Sequence, residues 1–200
     1  MSQSTLPRQA QITRALISVS DKSGLDAFAR GLAAFPDDLE ILYARALGWE
    51  RRDDIAKAEA DFRRILVISP DDVNALNALG YTLADRTTRY REALELIDRA
   101  RVAEPGNAAI IDSYGWVLFR LGKTREALGH LRHAFALQQD ADIASHLGQV
   151  LWVLGEKDEA RKYFDEARRI DPERAAQHRW QPGARERDQD GEWEQHASGR

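Results

Sequence analysis

The sequence predicts an all-α protein, a right-handed superhelical solenoid of stacked helix–turn–helix units, and three recurring signatures carry that prediction. An alanine that opens each second helix stands at Ala58, Ala93, Ala127 and Ala160, in steps of 35, 34 and 33 residues. A glycine inside the first helix stands at Gly80, Gly115 and Gly148, and a helix-ending proline at Pro70, Pro105 and Pro172. A period of about 34 residues belongs to stacked helical repeats, which present surfaces and rarely perform chemistry.

Superimposing the signatures divides the chain into four units, 39–72, 73–107, 108–140 and 141–174. In the first, Leu42, Ala46 and Trp49 share one face of the first helix, and Ala58, Phe62 and Ile65 share one face of the second. Spacings of three and four make these buried stripes, so the two faces meet. The equivalent sets are Leu76, Leu79, Gly80 and Leu83 with Ala93, Ile97 and Ala100, then Ile111, Tyr114, Gly115 and Leu118 with Ala127, Leu131 and Ala134. In the fourth unit they are Ala144, Leu147, Gly148 and Leu151 with Ala160, Phe164 and Ala167. Glycine and alanine at the crossings let two helices approach to about 8–9 Å. Gly122 and Gly155 suit a left-handed residue just past a first helix. Asp71, Asp72 and Asn107 follow prolines where their side chains can cap the next helix. Departures from the pattern are Ala46 in place of glycine, an extra residue near DRTTRY, and Gln139 in place of proline.

Over residues 39–174 this pattern resembles the tetratricopeptide repeat. Within it, NALNALGYTLADRT, DSYGWVLFRLGKTREAL and HLGQVLWVLGEKDEAR look like the C-terminal repeats of proteobacterial lipoproteins of that family that act as protease adaptors. The resemblance implies a concave groove lined by the first helices, and carried over position by position it nominates Tyr43, Leu47 and Arg51, then Asn77, Tyr81 and Asp85. The third unit supplies Asp112, Trp116, Phe119 and Arg120, and the fourth His146, Gln149 and Trp152. The family's lysine clamp for a terminal carboxylate is absent, because its fifth positions hold Tyr43, Asn77, Asp112 and Ser145. What is left is an aromatic ladder of Tyr43, Tyr81, Trp116, Phe119 and Trp152 with charges interspersed, a composition suited to an apolar or amphipathic peptide. Trp116 and Trp152 can alternatively pack between adjacent first helices. As groove residues, they make Trp116→Ala an expected loss of about 2 kcal/mol in partner binding with the fold intact.

The two ends fit the period less well. Residues 1–23 read as an irregular segment and 24–38 as a capping helix or half-repeat, with Phe28 and Pro36 in register with Phe62 and Pro70. TRALISVSDKSGLDAFARGLA, over residues 13–34, also resembles the start of the bifunctional purine-biosynthesis formyltransferase and inosinate cyclohydrolase. That likeness nominates Ser18, Ser20 and Lys22 beside a nucleotide, but the remaining strands and glycine-rich loop of that site are missing, and no activity is expected. Residues 175–200 read as a polar tail, mostly disordered. Its first part, Ala175 to Trp180, is a candidate partial cap over Leu151 or Tyr163.

Composition narrows the function further. With 43% hydrophobic and 31% charged residues the chain can fill a core, and its net charge of −4 from 33 acids and 29 bases offers no basic stripe to nucleic acid. No cysteine is present, which removes thiolate chemistry. No apolar run is long enough to span a membrane. The chain as given reads as cytoplasmic, or as periplasmic or outer-membrane-associated if it is a piece of a lipoprotein. His130 and His133 sit three apart without a nearby third ligand, so no metal is expected; neither is a cofactor or a catalytic site. The function expected is a non-catalytic scaffold or adaptor holding a protein or peptide in the groove. The alternatives are an inactive remnant or fusion of the purine enzyme's start, and a self-associating module that forms a homodimer.

Overall fold

A computed structural model describes residues 35–177, and within them the chain forms nine helices and no strand. They are α1 (Leu39–Arg51), α2 (Ile55–Ile68), α3 (Val73–Arg86), α4 (Tyr90–Ala103), α5 (Ala108–Arg120), α6 (Thr124–Leu137), α7 (Ala141–Val153), α8 (Lys157–Ile170) and α9 (Pro172–Gln177). The candidate half-repeat helix, the likeness over residues 13–34 with Ser18, Ser20 and Lys22, and the tail after 177 lie outside the described residues. None of the described helices is long and apolar enough to cross a membrane.

Short polar side chains start every first helix. Asp38 accepts from the amides of Glu40 and Ile41 at 3.1 and 3.3 Å, and Asp72 from Ala75 at 2.8 Å. Asn107 and Asp140 do the same for α5 and α7. Each satisfies donors that the helix itself leaves open. Asp71, by contrast, pairs with Arg99 at 2.9 Å. In the third unit Asp140 starts the next helix without the proline that Gln139 replaces.

First helices end in a left-handed residue at Gly122 (φ 81°) and Gly155 (φ 85°), where the amides that follow close back on the helix. Lys123 N–H donates to the Leu118 carbonyl and Glu156 N–H to that of Leu151, both at 2.9 Å. Asp53 takes the same conformation at φ 62° in the first unit, the single non-glycine to do so among the described residues. The second unit ends otherwise. There α3 runs one residue longer than α1, α5 and α7, and Thr87 closes it by donating from its hydroxyl to the Leu83 carbonyl at 2.6 Å. The extra residue near DRTTRY is accommodated in this way.

Within each unit the apolar stripes face each other. Ala46, Ala58, Phe62, Leu79, Leu83, Ile97, Leu131, Leu147 and Leu151 are all fully buried, and each large side chain among them contributes about 1.5–3 kcal/mol. The helical glycines mark the closest crossings. A Cβ on Gly80 would lie 2.5 Å from Ile97, on Gly115 2.8 Å from Leu131, and on Gly148 2.6 Å from Phe164. Unit one takes an alanine there, with Ala46 and Phe62 both at 0% exposure.

Between units the stacking is uneven. Backbones of α3 and α5, and of α5 and α7, lie against one another, whereas consecutive second helices are bridged by long side chains. Arg89 pairs with Glu59 at 2.8 Å, Arg132 with Glu159 at 2.9 Å, and Arg63 with Glu92. The close approach of α3, α5 and α7 puts these first helices on the inner side and the second helices on the outer, with α1 following by its place in the repeat. At the C-terminal end α9 lies on α7 and α8, burying Ala175 against Ala144 and Ala167. Leu151 is fully buried, and residues 178–180 of the candidate cap lie outside the described residues.

Candidate functional site

The inner side is built from α1, α3, α5 and α7, so the thirteen candidate residues come from elements that the unit cores hold in place. Their exposure divides them. Leu47 is 36% exposed and Arg51 is exposed; Tyr43, Asn77, Tyr81, Asp85, Phe119, Arg120, Gln149 and Trp152 are half-buried. Asp112, Trp116 and His146 are buried, at 5%, 5% and 1% exposure. Those three pack between adjacent first helices and present almost no surface to a ligand.

Their burial comes from a polar cluster shared by three units. His146 Nδ1 donates to the Asp112 carboxylate, whose two oxygens lie 2.9 and 3.0 Å away. A carboxylate can only accept, so the proton sits on Nδ1. On the other side of the ring, Nε2 is 3.3 Å from the Tyr81 hydroxyl. The Trp116 indole stacks on the imidazole at 4.2 Å between centroids and 20° between planes, and Phe119 lies 5.3 Å from Trp116. His146 is thus not a lone lining histidine but the centre of a joint between α3, α5 and α7.

Burial and nearby carboxylates together set the electrostatics at this joint. Burial alone lowers the basicity of His146, but the charge and hydrogen bond of Asp112, helped by Asp142 and Asp85, carry its pKa above the ordinary imidazole value. Burial, followed by Asp85, Asp112, Asp142 and Glu50, pushes the Tyr81 phenol well above its usual range. Burial also raises Glu50, against an opposing hydrogen bond from the Thr82 hydroxyl. A tyrosine so raised is a poor nucleophile, and the carboxylate–imidazole–hydroxyl series sits in the packed layer.

Tyr81, Trp116 and Phe119 meet at this joint, whereas Tyr43 and Trp152 lie in other surroundings. Tyr43 packs edge-on against Phe62 at 5.6 Å, within its own unit. Trp152 is flanked by Lys157 and Arg161, at 5.0 and 5.6 Å from its ring. Arg120 donates to the Tyr90 hydroxyl at 2.9 Å and lies over the Tyr90 ring. The Asp85 carboxylate is 4.0 Å from Arg86, which also pairs with Asp53. Among the described residues, Asn77 Oδ1 and Trp116 Nε1 are buried without a hydrogen-bond partner.

Of the two histidines of α6, His130 meets the Tyr114 ring edge-on at 4.9 Å, and His133 is exposed. No group of three metal-ligating side chains occurs among the described residues. A depression of about 480 Å³ lined by Glu159, Lys162, Tyr163 and Glu166 lies on α8, on the outer side and away from the groove.

The inclusion of Asp112 and His146 in the groove follows from each residue's place in its own unit, but their pairing does not. A signal for it is present: they stand 34 residues apart, one repeat period, on adjacent first helices. Reading each unit separately hides this.

Comparison with known proteins agrees with the architecture. A family model described as tetratricopeptide repeat matches residues 23–73 and 115–175. The TPR repeat-containing protein PA4667 of Pseudomonas aeruginosa is 48% identical over 123 residues, covering 62% of this chain and 21% of that protein. The chain therefore spans about one fifth of the length of this relative. Among solved structures, TTC0263, a thermophilic TPR protein of Thermus thermophilus, superposes with a TM-score of 0.69 at 23% identity, over 85% of this chain and 97% of that one. Pseudomonas aeruginosa pilF gives 0.64 at 20% identity, over 81% and 75%. At these identities the structural likeness concerns the fold alone.

Proposed function

The chain belongs to the tetratricopeptide repeat family, whose members bind proteins or peptides, and on that premise we propose that it is a non-catalytic scaffold holding a peptide segment along its inner side. The observation that carries the proposal is the exposed and half-buried row on the first helices, Leu47 and Arg51 at one end and Gln149 at the other, whose side chains are not consumed by the unit cores. Apolar, aromatic and guanidinium groups on a preformed concave surface are the usual anchors of an interface. Asp112, Trp116 and His146 contribute by keeping the surface rigid, which lowers the ordering cost of binding.

Selection of displayed peptides against the protein tests this reading. Leu47→Asp and Arg51→Glu should each weaken a selected peptide at least about tenfold, about 1.4 kcal/mol. Val102→Asp, at an outer position 71% exposed, should leave it unchanged. Equal losses at both faces, or loss at Val102 alone, would place the binding surface elsewhere.

A further inference from the structure

The joint at His146 is a titratable group locked into the layer that shapes the groove, and this has consequences of its own. Three consecutive first helices meet at one imidazole, through Asp112 on α5, Tyr81 on α3 and His146 on α7. Asp112 and His146 are buried, so solvent screens their interaction little. The Tyr81 hydroxyl can serve both states of the ring. It donates to Nε2 when the imidazole is neutral and accepts from the Nε2 proton when it is charged, while Nδ1–H stays on Asp112 in both. Protonation therefore adds one proton from solvent to Nε2, turns the hydroxyl round, and converts the hydrogen bond from a neutral imidazole to the Asp112 carboxylate into an ion pair.

We propose that His146 is a proton-operated tie of the inner layer, tightening α3, α5 and α7 against one another when charged and relaxing them when it loses its proton. The charged state gains twice. The imidazolium faces the Asp112 carboxylate, and it stacks on the indole of Trp116, whose face attracts cations. The other charges acting on the ring have the same sense, Asp142 on its own helix, partly neutralised by Arg174 from α9, and Asp85 on α3, while the neutral Tyr81 hydroxyl serves either state. Arg120 is the opposing charge, 5.9 Å from the far partner of the stack, the Trp116 ring. Burial opposes the charged form, and Asp112 outweighs it. A histidine whose native pKa is raised contributes stability that is complete below the unfolded value, near 6.5, and is lost as pH rises through the native value.

Nuclear magnetic resonance titration of the imidazole Cε1 protons tests this in the intact chain, with His146 assigned through its contacts to the Trp116 ring. The expected midpoint lies above about 6.5; one at or below that value would overturn the proposal. Urea unfolding followed from mildly acid to mildly alkaline pH supplies the linkage. The unfolding constant should rise with pH, by about tenfold for each unit separating native and unfolded midpoints, and His146→Gln should abolish that rise. An unchanged pH slope in His146→Gln would also overturn it. Should that variant fail to fold, Asp112→Asn keeps the imidazole and removes its counter-charge. Its His146 midpoint should then fall below that of the wild-type protein, and an unmoved midpoint counts against the tie.

Discussion

Adding one methyl group at Gly148 tests the helix crossing most directly, because two opposing effects can be separated. Alanine in place of glycine in a helix interior gains about 0.8–1 kcal/mol, since the unfolded chain loses freedom and the helix gains a better former. At Gly129, on α6, a Cβ meets nothing within 4 Å, so Gly129→Ala should keep the whole gain. At Gly148 the same Cβ would lie 2.6, 2.8 and 2.9 Å from three carbons of the Phe164 ring, which is itself 5% exposed and hemmed in. Overpacking of that kind costs about 1–3 kcal/mol. The two variants should therefore differ by about 1–3 kcal/mol although they make the same chemical change. That corresponds to a gap in melting temperature of about 2–12 °C for a chain of this size. Thermal and urea unfolding followed by far-ultraviolet circular dichroism measures the difference. If Gly148→Ala is stabilised as much as Gly129→Ala, the crossing is not limited by contact with Phe164. Unit one supplies an internal comparison, because Ala46 takes the glycine's place there and is buried in one cluster with Phe62.

Other substitutions probe different parts of the structure. Trp116→Ala should lower stability by about 3–5 kcal/mol, as for other buried large aromatics, instead of leaving the fold intact, because the ring is 5% exposed and stacked on His146; equilibrium unfolding decides this. Asp72→Ala should cost about 1 kcal/mol by freeing the Ala75 amide at the start of α3, visible as a shift in urea midpoint. Arg45 donates to both oxygens of the buried Asp61 carboxylate, at 2.7 and 2.5 Å. Arg45→Ala strands that carboxylate and should cost about 1.5–3 kcal/mol, whereas the double variant with Asp61→Ala should recover part of the loss in a double-mutant cycle. Exposed pairs such as Arg161 with Asp158 should contribute at most about 1 kcal/mol and less in high salt.

The fold was legible because its information is local and repeated. Gly80, Gly115 and Gly148 recur at the crossings, and opposite them stand Ile97, Leu131 and Phe164, so large and small residues alternate between facing stripes in a way that helical periodicity alone exposes. The groove was less legible. Position within a unit nominated Trp116 and Trp152 alike, yet Trp116 stacks on a residue from the next unit while Trp152 is held by Lys157 and Arg161 from its own. Position names the face of a helix and not the neighbour that face meets. Asp53 shows the same limit at the backbone, since aspartate tolerates the left-handed turn but does not demand it as plainly as Gly122 and Gly155 do.

By itself the sequence determined the helical solenoid, its period, and which small residues admit close approach, since each depends on residues three, four or about 34 positions apart within a regular pattern. Tertiary structure alone decided that Asp112, His146 and Tyr81 meet, although the outer two are brought together from 65 residues apart. The physical reason is the uneven stacking of the units. Only the separation and rotation of neighbouring first helices decide whether a polar side chain on the inner side reaches water, a ligand or its counterpart in the next repeat, and here they close three of them into one joint.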